Sequence, residues 1–175
     1  MEQKRNVVRS IKILTHKYDS LDLKDDIEYI FYPLHYEPEA TLCYFVNPYI
    51  DQSTVIETTA RALKINQVLI VKEHPQQIGA LFEEKFKLVR KRNSNILYIP
   101  GYIPSEEIVR RVNTLVTLTS TAAWESYIRG KRIITLGDVF FASFKGITKC
   151  KLSDLNKIFR NDIYEIYDDT DILYA

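Results

Sequence analysis

Between Leu115 and Leu136 the chain reads as a strand, a turn, a helix and a second strand, and this stretch limits the fold more than any other. The apolar run Leu115-Val116-Thr117-Leu118 leads into Thr119-Ser120-Thr121-Ala122-Ala123-Trp124-Glu125. A helix-like run follows to Gly130, and Arg132-Ile133-Ile134-Thr135-Leu136 is again strand-like. Successive strands joined through a helix pair in parallel, with the helix packed on one sheet face. The turn of hydroxyls and small residues is expected to leave backbone N–H groups open at a helix N-terminus, which suits an anion such as a phosphate. Glu125 falls near the first helical turn, where a carboxylate can bond a sugar hydroxyl. An ordinary N-capped helix with Trp124 in the core also fits these residues. A cap needs one hydroxyl, however, and three stand in a row at Thr119, Ser120 and Thr121. A ligand-binding turn is therefore the reading adopted.

The same alternation runs upstream. Ile27 to Tyr32 is apolar and aromatic and predicts a first strand. Asp51 is placed to cap a helix whose stripe is Val55, Ile56, Thr59, Ala60 and Leu63. Gln67 to Val71 predicts a buried strand, and Ile78, Leu81, Phe82, Phe86 and Val89 predict a second helix. Asn95 to Ile99 predicts another strand, stopped by Pro100-Gly101, and Ser105-Glu106-Glu107 begins a short helix. Strands alternating with helices give an α/β domain with a parallel sheet. Its expected limits are 27 and 150. Residues 1–26 read as a leader or linker, with Val7, Ile11, Leu14 and Tyr18 at helical spacing, and residues 151–175 as a helix and an acidic tail.

The composition excludes several classes. A net charge of +1 gives no reason to expect nucleic acid as a partner. The two cysteines, Cys43 and Cys150, form no disulfide framework and lack metal-ligand spacing. No apolar run approaches the roughly 18 residues of a membrane span. A cytoplasmic protein is expected, with peripheral placement at an inner membrane compatible with it.

Two further motifs follow strands, at the edge where open α/β sheets bind ligands. Lys72-Glu73-His74-Pro75 follows the Gln67 strand. His74 can donate to a phosphate or a base, Pro75 stiffens the loop and Lys72 adds charge. A plain turn with His74 packed and Lys72 solvated is the alternative. His35-Tyr36-Glu37-Pro38-Glu39 follows the first strand. On an extended segment His35, Glu37 and Glu39 point to one face and can share acid–base work; a solvated polar loop is the alternative. No cluster has metal-ligand spacing and no glycine-rich phosphate loop occurs, so neither a metal nor a cofactor is expected.

Four stretches in order carry a family likeness. They are Tyr32 to Glu39, Lys72 to Pro75, Ser120 to Glu125, and Gly130-Lys131 leading to Leu136-Gly137. Together they resemble the bacterial capsule polysaccharide biosynthesis family over roughly 27–141. That family is similar to the transferases that attach Kdo and has the two-domain GT-B fold. The resemblance implies a Rossmann-like parallel sheet with flanking helices, a single GT-B half-domain. It implies the C-terminal half, which binds the sugar nucleotide. His74 and Pro75 would face the nucleotide, Ser120 and Thr121 its phosphate, and Glu125 its ribose. The loop of His35, Glu37 and Glu39 would line the cleft on the acceptor side.

The function expected is that of a glycosyltransferase-type domain in capsule or surface polysaccharide assembly. Its partners would be a sugar nucleotide, with a CMP-linked sugar one candidate, a glycan acceptor, and a partner chain supplying the N-terminal GT-B domain. A non-catalytic assembly module (a truncated relic) and a sugar-nucleotide epimerase-like domain are the alternatives.

Overall fold

The computed structural model describes residues 17–36 and 51–161. The expected helix through Val7 to Leu14, together with Glu37, Glu39 and the acidic tail, lies outside them. Among the described residues six strands form one sheet. They are β1 (Glu28–Pro33), β2 (Gln67–Lys72), β3 (Ile96–Ile99), β4 (Thr114–Thr117), β5 (Arg132–Thr135) and β6 (Ile147–Lys149). The order is β3-β2-β1-β4-β5-β6 and every pairing is parallel. This is the doubly wound α/β arrangement expected.

Strands β1 to β5 are mostly buried and largely apolar because both sheet faces are covered there, whereas the edge strand β6 is partly exposed. In β1 alternate residues part to opposite faces. Ile30 and Tyr32 join one core with Leu69, Val71, Val116 and Ile134. Tyr29 and Phe31 join the other with Ile70, Leu115 and Ile133. The first core is closed by α1 (Gln52–Ala62), α2 (Glu84–Arg92) and α5 (Leu155–Asn161), through Val55, Ile56, Phe86, Val89, Leu155 and Phe159. The second is closed by α3 (Ser105–Val109) and α4 (Thr121–Ile128), through Ile108, Val109, Ala123 and Tyr127. Packing continues past both expected domain limits: Leu21 and Leu23 lie against the second core, and Leu155, Ile158 and Phe159 are buried in the first. Among the described residues no helix is long and apolar enough to cross a membrane.

One element departs from the periodicity. The stripe Ile78 to Val89 does not form a single helix. It divides into a 3₁₀ turn, Ala80–Phe82, and α2. Gly79 breaks the path with φ 90, and Glu83 is extended. The cause is the buried carboxylate of Glu73, which is 1% exposed. It accepts the Gly79 N–H at 3.0 Å, the Leu81 N–H at 2.9 Å and the Tyr18 hydroxyl at 2.7 Å. Those amides bend toward the carboxylate instead of entering a helix. A buried anion with such donors is tolerated, and without them it is costly. Burial still pushes the Glu73 carboxyl above its ordinary range, against the pull of the Tyr18, Leu81 and Gly79 bonds.

The Lys72 side chain stays with the protein on the other side of the same loop. It is 3% exposed, and its ammonium donates to the Glu73 and Gly101 carbonyls at 3.2 Å. Burial holds its pKa below the usual lysine value, although the Glu73 charge opposes this. Gly101 lies hard against the loop. A Cβ there would meet the His74 carbonyl oxygen at 2.8 Å and the Pro75 Cα at 3.2 Å, both backbone atoms that cannot swing aside.

Two outcomes follow from this loop. Gly101→Ala is expected to lower stability by about 1–3 kcal/mol in urea denaturation, through overpacking against backbone. For Glu73 the folded chain holds the proton more tightly than the unfolded chain. Its contribution is therefore most favourable at low pH and declines as pH rises from the unfolded pKa to the raised folded one. The stability of the wild type minus that of Glu73→Gln should therefore fall as pH rises above the ordinary glutamate range, about pH 4, and a flat difference would contradict the assignment.

Candidate functional site

The strand order fixes where a ligand can sit. The chain passes from β1 to β2 and β3 on one side, then returns to β4 on the other. The crevice beyond the C-terminal ends of β1 and β4 is thus a topological switch point, the place where open α/β sheets bind ligands. β1 ends at Pro33, and the chain crosses this crevice through His35 and Tyr36.

These two residues join the other two loops. The His35 ring reaches toward β4, where its Nε2 accepts the Thr119 N–H at 3.3 Å and lies 3.4 Å from the Thr117 hydroxyl. Accepting through Nε2 puts the proton of the neutral ring on Nδ1. The Tyr36 ring reaches toward β2 and meets the His74 ring edge-on, with centroids 5.6 Å apart. Neighbouring residues on an extended chain point to opposite sides, so one dipeptide spans both gaps.

The position of His35 is set by Gln52, the first residue of α1. The His35 N–H donates to Gln52 Oε1 at 2.8 Å, and Gln52 Nε2 donates to the His35 carbonyl at 3.1 Å. Gln52 is 1% exposed and His35 5%. A buried amide paired twice to one backbone unit leaves that unit little freedom. Asp51 begins the helix as foreseen and accepts the Ser53 N–H at 3.4 Å. Burial opposes its charge, but bonds from Ser53 and Lys85 outweigh that and hold its carboxyl below the ordinary value.

In the β2 loop His74 is half-buried and Pro75 and Gln76 are exposed. His74 Nδ1 accepts the Gln76 N–H at 3.2 Å, so the neutral ring carries its proton on Nε2. That nitrogen suits donation to an anion. Lys72 corrects the expectation of added charge in the site and also the alternative of a solvated side chain. Its ammonium is buried under the loop and bonds carbonyls, because the residue closes a strand covered on both faces.

The turn after β4 is more self-contained than its sequence promised. Ser120 is the N-cap of α4, and its hydroxyl accepts the Ala122 N–H at 3.2 Å. The Ser120 N–H goes to the Thr117 hydroxyl at 3.0 Å, and the Ala123 N–H to the Ser120 carbonyl at 3.0 Å. Thr119 donates to His35. The expectation of open amides is thereby corrected for these four residues: the Thr117 and Ser120 hydroxyls, the Ser120 carbonyl and His35 take them. The hydroxyls are not all consumed. Thr119 Oγ1 is buried with no hydrogen-bond partner among the described residues, and Thr121 is exposed. Glu125 is the fifth residue of α4, just past the first turn, and is exposed. Trp124 is half-buried among Tyr127, Phe141 and Phe144 and touches the exposed Phe140.

The structure therefore brings His35, His74, Pro75, Ser120 and Thr121 to one edge, with Glu125 on the helix that starts there. Glu37 and Glu39 lie outside the described residues. Sequence reasoning missed Gln52 as part of the site, and it gave Glu73 and Tyr36 no role within the motifs that contain them. The adjacency of His35 and Tyr36 on an extended segment was the available signal for Tyr36. A polar residue at the first position of an otherwise apolar-striped helix was the signal for Gln52.

The comparisons bear on the family and the fold. The family model described as capsule polysaccharide biosynthesis protein matches residues 15–163. No curated protein matches the chain. Among solved structures, the chain is similar to the beta Kdo 2,7 transferase of Thermosulfurimonas dismutans KpsC, with a TM-score of 0.56 and 20% identity over 88% of this chain and 50% of that one. It is similar to WaaG, a glycosyltransferase involved in lipopolysaccharide biosynthesis, with a TM-score of 0.56 and 16% identity over 87% of this chain and 41% of that one. It is similar to the wall teichoic acid polymerase TagF, with a TM-score of 0.58 and 13% identity over 97% of this chain and 40% of that one. The chain thus spans half or less of the length of these structures. The fold is the Rossmann-like α/β fold of GT-B glycosyltransferases. With most of its length matched by the family model, the chain belongs to the capsule polysaccharide biosynthesis family.

Proposed function

We propose that this domain binds a sugar nucleotide at the edge formed by the β1, β2 and β4 loops, as the donor-binding half of a glycosyltransferase in capsule or surface polysaccharide assembly. The observation that carries the reading is the His35-Tyr36 bridge. It ties the His74 loop to the Thr119 turn across the switch point, the place where open α/β sheets bind ligands.

Glycosyl transfer breaks the bond between the sugar's anomeric carbon and a phosphate oxygen, and an acceptor hydroxyl forms the new bond. Negative charge grows on the departing phosphate. Donors already aimed at that charge lower the barrier. His74 Nε2 and the Thr121 hydroxyl are the proposed donors, with Ser120 holding the turn that presents Thr121. Glu125 would bond the ribose and Pro75 would flank the base. Lys72 acts from beneath by fixing the loop rather than by touching the ligand. This charge stabilisation calls for no metal. Glu37 and Glu39 would serve the acceptor side, and transfer would need the other GT-B half, from a partner chain or another domain. A CMP-linked sugar is the first donor to test, and the proposed place of action is the cytoplasm.

Calorimetric titration with CMP, UDP and GDP tests the reading. One nucleotide should bind, and His74→Ala should weaken it by about 10- to 100-fold, the worth of a hydrogen bond to a charged group. Gln52→Ala should also weaken it, by freeing His35, although Gln52 does not touch the ligand. Absence of binding to all three nucleotides would overturn the donor-site reading and leave an assembly module.

A further inference from the structure

A second concave surface lies away from the switch point, beside the outer strand β3. It has a volume of about 420 Å³, within the range of small-molecule sites. Lys17, Lys87, Arg90 and Lys91 line it, over a floor that includes Phe82 and Tyr98. Lys87 and Lys91 are four apart on α2, so they share one helix face and repel each other. Lys17 adds a third ammonium from the segment before β1. Arg90 is held in place by Asp19 at 2.6 Å and lies over the Tyr98 ring, 5.4 Å from its centroid. Asp19 is spent on that pair and on the Tyr98 N–H at 2.7 Å. Among the described residues no carboxylate lies within ion-pair distance of Lys17, Lys87 or Lys91. The whole chain carries only +1, so this is a local concentration of charge and not a general excess.

We propose that this groove binds an acidic stretch of glycan, a run of sugars bearing carboxylate or phosphate groups, outside the nucleotide site. Three ammonium groups with no ion pair among the described residues, set in a concavity, ask for an anion. A concave surface with an apolar floor suits sugar rings better than the flat surface of a bilayer. The family's work on capsule polysaccharide makes a glycan the fitting anion. The groove adjoins the β2 loop: Phe82 in its floor meets the Tyr18 ring at 4.6 Å, and Tyr18 bonds Glu73 beneath His74. The assignment itself does not depend on nucleotide binding.

The test titrates the full chain with a galacturonic acid oligosaccharide, a neutral malto-oligosaccharide of equal length, inorganic phosphate and phosphatidylglycerol vesicles. The acidic oligosaccharide should bind, and added salt should weaken it. Lys87→Glu/Lys91→Glu should weaken it at least about tenfold, and Lys17→Glu should weaken it independently. Thermal unfolding and any nucleotide affinity, measured in parallel, should stay unchanged. Failure of the acidic oligosaccharide to bind would overturn the proposal, as would equal binding of the neutral one or indifference to both variants. Displacement by phosphate at equal concentration would reduce the groove to a simple anion site, and binding of vesicles alone would make it a membrane contact; either result overturns it.

Discussion

A central parallel strand, covered on both faces and flanked by β2 and β4, sets the terms for everything around it. β1 can form only where Ile30 and Tyr32 fill one core and Tyr29 and Phe31 the other. Its two neighbours come from distant parts of the chain, so the sheet must reverse its winding beside it. The reversal opens a crevice at the C-terminal end of β1. The first residues to leave that strand are then forced to cross the crevice. In this chain Leu34 stays in the core and His35 and Tyr36 make the crossing. One ring goes to each side, and Gln52 locks the backbone between them.

The site is supported by buried polar groups rather than by a glycine-rich loop. Glu73 is the clearest case. Its carboxylate gathers Tyr18, Gly79 and Leu81 on one side of the β2 loop, while the Lys72 ammonium holds the Glu73 and Gly101 carbonyls on the other. Each group alone would be costly to bury; with partners they fix the loop that presents His74. The arrangement leaves His74 and Pro75 toward solvent, where a ligand can meet them.

Much of the fold was legible because period and position carry it. Alternating strand and helix patterns located all of β1 to β5, and Asp51 marked the start of α1 correctly. The breakdown at Ile78 to Val89 has a clear physical reason. The apolar stripe is real, since Leu81, Phe82, Phe86 and Val89 are all buried, but a carboxylate five or more residues upstream competes for the amides. Periodicity records which side chains are buried and says nothing of such competition. The same limit applies to the site. The row of hydroxyls at Thr119 to Thr121 was correctly seen as unusual, yet its capping partners, Thr117 and His35, could be identified only once the strands were paired. Lys72 shows the reverse error: a charged residue after an apolar run reads as solvent-facing, and here the strand's burial extends through it.

The central claim is that the β1, β2 and β4 loops form one ligand site, joined by His35 and Tyr36. Amide NMR mapping of the ¹⁵N-labelled chain with a nucleotide tests it most directly. The account predicts that the amides of Gln76, Thr119 and Ala122 shift together, with one shared saturation curve, while those near Lys24 and Asn113 at the opposite sheet edge stay still. Shifts confined to one loop, or centred on the opposite edge, would contradict it.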